Sequence, residues 1–174
     1  TAANQVPGKI DGSLSFDGTN DAVNAGNQAS LNFGAGEDFT IEAWIKCSDN
    51  TSYPAVGKYC DISVPGYWLA VLGGRFDLRV SDAGGSYFGV STSATYNDDA
   101  WHHVVGTADR DGRATLYVDG QSVASATMSE NGNTGSGLFY IGGGASYLAG
   151  TIDEVRVSGA LRSADWVRAS FNNM

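Results

Sequence analysis

Basic residues are scarce in this sequence. Of its 174 residues, 10 are Lys or Arg and 19 are Asp or Glu, which gives a formal net charge of −9. Only three of the basic residues are Lys. Binding to a phosphate backbone or to an anionic membrane surface depends on clustered basic side chains. The charge balance therefore argues against nucleic acid and anionic lipid as partners.

Long apolar segments are also absent. No run approaches the roughly 18 residues that a membrane-spanning helix requires, so we expect no membrane insertion. The first residues have neither the charged nor the apolar region of a signal peptide. We expect any targeting signal to lie outside this sequence.

Cysteine is represented by two residues, Cys47 and Cys60. Two cysteines without a neighbouring His make a poor zinc site. The remaining interpretations are a redox pair, a structural disulfide of an exported domain, or two free thiols. We favour the Cys47–Cys60 disulfide, which would place the protein in an oxidising compartment.

Glycine is abundant, at 24 residues against 3 Pro, and this composition indicates many turns. Segments 39–46 and 75–80 alternate apolar and polar residues with the period of a strand. Turn signals follow at Gly73-Gly74 and Asp119-Gly120. This pattern predicts an all-β sandwich or barrel. Residues 163–171 alone predict a helix, with Ser163 as its N-cap.

Several strand segments resemble the laminin G-like members of the concanavalin A-like lectin/glucanase superfamily. The segment Phe-Thr-Ile-Glu-Ala-Trp-Ile-Lys at 39–46 is similar to a signature strand of that family. The other matching segments, in the family's order, are 14–23, 101–107, 116–120, 141–143, 150–157 and the helix 163–171. The resemblance covers almost the whole chain.

The resemblance implies a single domain over residues 1–174, folded as a concanavalin A-like jelly roll of two antiparallel sheets with a short C-terminal helix. It also implies a non-catalytic, lectin-like module of a secreted or cell-surface protein. Such a module would attach other domains of a larger parent protein to glycans. The alternative is a structural or protein-contact domain without a sugar site, because fold does not decide function.

Catalytic motifs are missing from the sequence. Polysaccharide hydrolases that share this fold resemble one another in a Glu-x-Asp-x-x-Glu strand, and none of the four Glu here stands in that pattern. Asp153 and Glu154 are adjacent, so their side chains point to opposite faces of a strand. His102 and His103 are also adjacent, so their imidazoles point to opposite faces of a strand and cannot share a ligand. We therefore expect no enzyme activity.

A structural calcium ion is the cofactor that the resemblance implies. Asp17 and Asp21 lie in an N-terminal loop with Asn20 and Asn24, and Asp153 lies in the last strand. Calcium prefers a mixture of carboxylate and amide oxygens, and the first and last strands are neighbours in this superfamily. The alternative is that Asp17-Gly18 is only a turn and that Asp153 caps backbone amides.

The hairpin around Gly73-Gly74 predicts a sugar-binding surface. A two-residue turn pairs Leu72 with Arg75 and, five residues further along each strand, Tyr67 with Val80. One face is then apolar and belongs to the core. The opposite face, which we expect to be exposed to solvent, carries the candidate carbohydrate-binding residues Trp68, Arg75, Asp77 and Arg79. The alternative is a cross-strand Trp–Arg pair that only stabilises the sheet.

Overall fold

The computed structural model describes residues 4–50, 52–58, 64–84, 87–128, 132–144 and 146–174. These residues form two antiparallel sheets and one α-helix, as the sequence predicts. The seven-stranded sheet has the order β1-β2-β13-β4-β9-β10-β11, and the six-stranded sheet has the order β3-β12-β5-β6-β7-β8.

The strands of the seven-stranded sheet are β1 (Gln5–Pro7), β2 (Gly12–Asp17), β4 (Phe39–Lys46), β9 (Trp101–Ala108), β10 (Arg113–Val118), β11 (Gln121–Thr127) and β13 (Ala149–Ser158). Those of the six-stranded sheet are β3 (Val23–Gly26), β5 (Ser52–Lys58), β6 (Gly66–Leu72), β7 (Arg75–Ser81), β8 (Tyr87–Ser91) and β12 (Phe139–Ile141). A short 3-10 helix at Ala29–Leu31 precedes β4.

The main core lies between the two sheets. Alternate residues of the central strands belong to it, such as Ile41 and Ile45 of β4 and Leu69 and Val71 of β6. The sandwich is tight where the sheets meet at Gly106. A Cβ atom at Gly106 would lie only 2.9 Å from Leu78 Cδ1 of the opposite sheet. We call the face of each sheet that points into this core its inner face, and the other its outer face.

The β6–β7 hairpin has the predicted register, from Leu72 opposite Arg75 to Tyr67 opposite Val80. Gly73 and Gly74 have φ angles of 58° and 78°. Positive φ at both central positions is the geometry of the type I′ turn, which glycine adopts without steric cost. The predicted core face is also confirmed. Its six side chains all belong to the main core; they are Tyr67, Leu69, Val71, Phe76, Leu78 and Val80.

The helix α1 (Ala164–Asn173) follows the predicted N-cap, and the Ser163 hydroxyl accepts a hydrogen bond from the Trp166 backbone N–H. Val167 is fully buried against Val105 and Tyr117. The helix therefore covers part of the outer face of the seven-stranded sheet. No helix in the described part of the chain is long and apolar enough to cross a membrane.

Candidate functional site

The outer face of strands β6, β7 and β8 carries the polar side chains that the hairpin register predicted. The ladder places Trp68 opposite Arg79, and Arg79 opposite Gly89 on β8. In the next row, Asp77 lies between Ala70 and Ser91. We call this surface the β6–β8 outer face; its members are Trp68, Ala70, Leu72, Arg75, Asp77, Arg79, Gly89 and Ser91.

A buried carboxylate organises this surface. Asp77 is 1% exposed, and its Oδ1 accepts a hydrogen bond from Arg79 Nε at 2.6 Å. Its other oxygen, Oδ2, accepts from the Ser91 hydroxyl. Burial raises the pKa of Asp77, while the Ser91 hydrogen bond and the Arg79 charge oppose that shift. Asp77 therefore bonds one neighbour on its own strand, Arg79, and one on β8, Ser91.

The Arg79 end of the surface reaches solvent. The Arg79 side chain is 31% exposed, and both Gly89 and Ser91 on the neighbouring strand are exposed. A Cβ atom at position 89 would lie 3.8 Å from Arg79 Cγ and 3.9 Å from its Nε. Gly89 therefore places no side chain of its own against Arg79 on β8, which is the last strand in the sheet order. Arg75 is exposed beside the Gly73-Gly74 turn.

Trp68 does not have the exposure that the sequence analysis expected. It is 8% exposed, and it forms a second apolar cluster with Ala70 and Leu72, separate from the main core. Gly57 of β5 lies so close that a Cβ atom there would stand 2.6 Å from Trp68 Cα. The expectation of an open solvent face is therefore wrong at Trp68 and also at Asp77, which is 1% exposed. Strand alternation assigns a side chain to a face, but it does not tell whether that face is covered.

Two members of the surface, Gly89 and Ser91, were not found from the sequence. The register of β6 and β7 follows from their two-residue turn, whereas β7 ends at Ser81 and β8 begins only at Tyr87. A longer connection does not determine the pairing of its strands. The one available signal was the small, polar character of Gly89 and Ser91.

The carboxylates of the N-terminal loop take part in a turn. Asp17 Oδ1 accepts hydrogen bonds from the backbone N–H groups of Thr19, at 2.8 Å, and Asn20, at 3.3 Å. These bonds, the Thr19 bond foremost, lower the pKa of Asp17. Asp21 Oδ2 accepts in turn from the Asp17 backbone N–H at 3.2 Å.

Asp153 is held in a different place. Its Oδ2 accepts from the backbone N–H groups of Lys9, at 2.9 Å, and Ile10, at 3.0 Å. The residue opposite Asp17 is Ala149, so Asp153 lies four positions further along β13, about 13 Å away at roughly 3.3 Å per residue. This separation contradicts a shared calcium site.

The predicted calcium ligand set of Asp17, Asp21 and Asp153 is therefore wrong. The strand neighbours are as expected, but the register separates the carboxylates along the strands. Within the described ranges, no group of three or more His, Cys, Asp or Glu side chains could hold a metal ion. These residues do not fit the calcium ion that the family resemblance implies, and calcium binding stays a prediction without this ligand set.

Cys47 is a buried, free thiol in the structure, 3% exposed, and its Sγ donates to the Tyr96 carbonyl oxygen at 3.9 Å. Burial, together with the nearby charges of Asp98 and other acidic residues, raises its pKa to about 11. Cys60 lies outside the described residues. The Cys47–Cys60 disulfide therefore stays a prediction.

The two histidines point to opposite faces of β9, as predicted. His102 contacts Asp119 Oδ2 through Nδ1 at 2.8 Å and Asp98 Oδ1 through Nε2 at 3.1 Å. The Asp119 hydrogen bond is the main reason why the pKa of His102 is raised. His103 is fully buried, and its Nε2 lies 3.1 Å from Glu42 Oε2. Because the imidazoles are on different faces, they cannot share a metal ion or a substrate.

Comparison with known families assigns the fold. The sequence profile of the concanavalin A-like lectin/glucanases superfamily matches residues 17–168. The chain belongs to this superfamily. A search of curated protein sequences finds no significant match to this concanavalin A-like chain.

Solved structures similar to this superfamily member include binding domains of bacterial toxins. The binding domain of Paraclostridial Mosquitocidal Protein 1 is 18% identical with a TM-score of 0.83, and the match covers 97% of this chain and 45% of that one. The ligand binding domain of botulinum neurotoxin serotype D was solved in complex with N-acetylneuraminic acid. It is 13% identical to this chain with a TM-score of 0.78, and the match covers 98% of this chain and 44% of that one. The chain thus spans less than half the length of these proteins, and the likeness shows a shared fold.

Proposed function

We propose that this chain is a non-catalytic carbohydrate-binding module of an extracellular protein, and that it binds glycans at the Arg79 end of the β6–β8 outer face. The observation that carries the proposal is the Asp77–Arg79 pair. A planar donor group is hydrogen-bonded to a buried carboxylate and is partly exposed. Fixed polar groups of this kind give a binding site its specificity for hydroxyl-bearing ligands.

The same surface supports binding rather than catalysis. Glycoside hydrolysis generally uses two carboxyl groups, which stand about 5–9.5 Å apart on either side of the scissile bond. Among the described members of the β6–β8 outer face, Asp77 is the only acidic residue, and both its oxygens accept hydrogen bonds from neighbours. A carboxylate engaged in this way is suited to positioning Arg79.

The similar solved structures support a binding role as one part of a larger protein. They are binding domains, and one of them was solved with N-acetylneuraminic acid. We propose that this chain likewise serves as one domain of a larger parent protein. We propose an extracellular location for the same reason, because the similar structures are binding domains of toxins.

A protein-contact role is the second candidate, because burial removes the Trp68 indole that was expected to stack on a sugar. An indole that is 8% exposed does not offer its ring face to a sugar. Under this alternative, the β6–β8 outer face would be an internally stabilised part of the sheet, and the module would bind proteins elsewhere on its surface.

A glycan array with the purified domain, with and without calcium, separates the two candidates. We expect binding to a defined set of glycans, and we expect Arg79→Ala to abolish it. Arg79→Lys should also weaken it, because Lys lacks the planar guanidinium fork. Arg113→Ala is the matched control, since Arg113 is an exposed arginine that bonds Ser125 on the other sheet. A folded protein that binds no glycan would favour the protein-contact role.

Gly89 offers an independent test of the site. Its backbone does not require a positive φ, and a Cβ atom would make only ordinary contacts with Arg79. We therefore expect Gly89→Ala to fold and bind normally, whereas Gly89→Phe should cover Arg79 and block glycan binding. Unchanged binding by Gly89→Phe would place the sugar site elsewhere.

A further inference from the structure

One lysine side chain points into the core of the sandwich. Lys58 is the last residue of β5, and the strand ladder places it between Tyr67 of β6 and Phe139 of β12. Both aromatic residues belong to the main core, so Lys58 lies on the inner face of its sheet, where it is fully buried. Removing an ammonium group from water is costly unless a carboxylate pairs with it.

The hydrogen-bond partners of the Lys58 amine are neutral amides. Its Nζ donates to Asn32 Oδ1 and, at 3.4 Å, to Asn27 Oδ1. Within the described part of the chain, no acidic side chain forms an ion pair with Lys58. Burial lowers the pKa of Lys58, which favours the neutral amine. A neutral lysine amine is a nucleophile, and here it contacts a carboxamide group.

We propose that an isopeptide bond forms between Lys58 Nζ and Asn32 Cγ. The amine attacks Asn32 Cγ, and the bond between Cγ and Nδ2 breaks. One proton of the amine passes to Nδ2, which leaves as ammonia, so the step requires neither an oxidant nor a cofactor. The product is a neutral secondary amide, which removes the cost of a buried charge from the core. This inference is independent of glycan binding.

The chain on both sides of Asn32 is fixed to the core. The Tyr67 hydroxyl donates to the Leu31 carbonyl oxygen at 3.0 Å, and the Phe33 ring stacks on Phe39 with 4.6 Å between centroids. The Asn32 carboxamide is therefore presented to the amine by ordered neighbours. Because Cγ is bonded directly to Oδ1, a small rotation of the carboxamide brings it to the near-attack separation of about 3–3.5 Å from the amine.

A cavity next to Asn32 gives the reaction an exit. Its volume is about 540 Å³, and its lining includes Asn32, Phe33 and Glu37. Glu37 is exposed, so the cavity opens to solvent. Water can therefore reach the reacting groups to carry the proton, and ammonia can leave.

The bond would link the two sheets of the sandwich. Asn32 lies in the segment that enters β4 of the seven-stranded sheet, and Lys58 lies in β5 of the six-stranded sheet. The two residues are 26 positions apart in the chain. A covalent bond across that loop restricts the unfolded chain in the way that a disulfide does.

Intact-mass measurement of the purified protein tests the bond. We expect a mass below the sequence mass by one ammonia molecule, about 17 Da, in fresh protein or after overnight incubation. Lys58→Met and Asn32→Ala should each restore the full mass, and the unbranched Met side chain suits a buried apolar site. Asn27→Ala is the matched control, because it removes the other amide that contacts the amine; it should keep the deficit. Circular dichroism confirms that each variant is folded.

Peptide mapping of the unsubstituted protein locates the bond without any variant. Trypsin cleaves after Lys and Arg, so an unlinked, reduced chain yields the separate fragments 10–46, 47–58 and 59–75. Trypsin does not cleave after an acylated lysine. The bond therefore predicts one branched product in which fragment 10–46 is joined to fragment 47–75.

Three results would overturn the inference. The first is an unsubstituted protein that keeps the full sequence mass after incubation. The second is a deficit of one ammonia with fragments 10–46 and 47–58 separate, because an asparagine would then have cyclised to a succinimide. The third is a full mass in folded Asn27→Ala together with a deficit in folded Asn32→Ala, which would assign the bond to Asn27.

Discussion

Replacing Trp68 by Ala tests whether the β6–β8 outer face is covered. A buried Trp removes about 150–250 Å² from solvent, which at about 25 cal/mol per Å² corresponds to about 4–6 kcal/mol as an upper bound. Measured truncations of large buried aromatic residues cost about 3–5 kcal/mol. Because Trp68 is 8% exposed and packs on Ala70 and Leu72, we expect a loss in that range. For a chain of this length, the melting temperature should fall by about 6–20 °C.

The measurement is thermal unfolding followed by circular dichroism, with two reference variants on β7. Phe76→Ala removes an inner-face side chain that is 1% exposed and should cost about the same as Trp68→Ala. Arg75→Ala removes an exposed side chain and should change stability by no more than about 0.5 kcal/mol. If Trp68→Ala melts together with Arg75→Ala, the face is open to solvent. The reasoning that excludes Trp68 as a stacking platform would then fail.

Three further outcomes follow from the hydrogen bonds and pKa values of the structure. Asp153→Ala should cost about 1.5–3 kcal/mol, because the carboxylate accepts two backbone N–H groups from the turn after β1, and the loss should be equal with calcium and with chelator. The pKa of His102 is raised above 6.5, chiefly by the Asp119 hydrogen bond. Protonated His102 therefore contributes its full stabilisation below pH 6.5, and this contribution is lost as pH rises through the folded-state pKa. His102→Asn should remove the pH dependence of the melting temperature in that range. If Cys47 and Cys60 form a disulfide, alkylation in denaturant without reductant should add no mass to the protein, and two adducts would rule out the bond.

Local sequence was sufficient to predict much of this fold. The Gly73-Gly74 turn determined the pairing of β6 with β7 residue by residue, because a type I′ turn permits one register. The start of α1 followed from Ser163, whose hydroxyl satisfies a backbone N–H of the first turn. In each case the interacting groups are close in sequence, so their geometry is set by the intervening backbone.

Tertiary structure alone decided the exposure of the candidate site and the separation of the predicted calcium ligands. Trp68 lies on the face that alternation assigned, but its burial depends on packing within the sheet and against its neighbours. Asp17 and Asp153 lie on adjacent strands, yet their distance depends on the register of β2 with β13, more than 130 positions apart in the chain. No turn connects those strands directly, so only the packing of the whole sandwich fixes their register, and with it the surfaces available for binding.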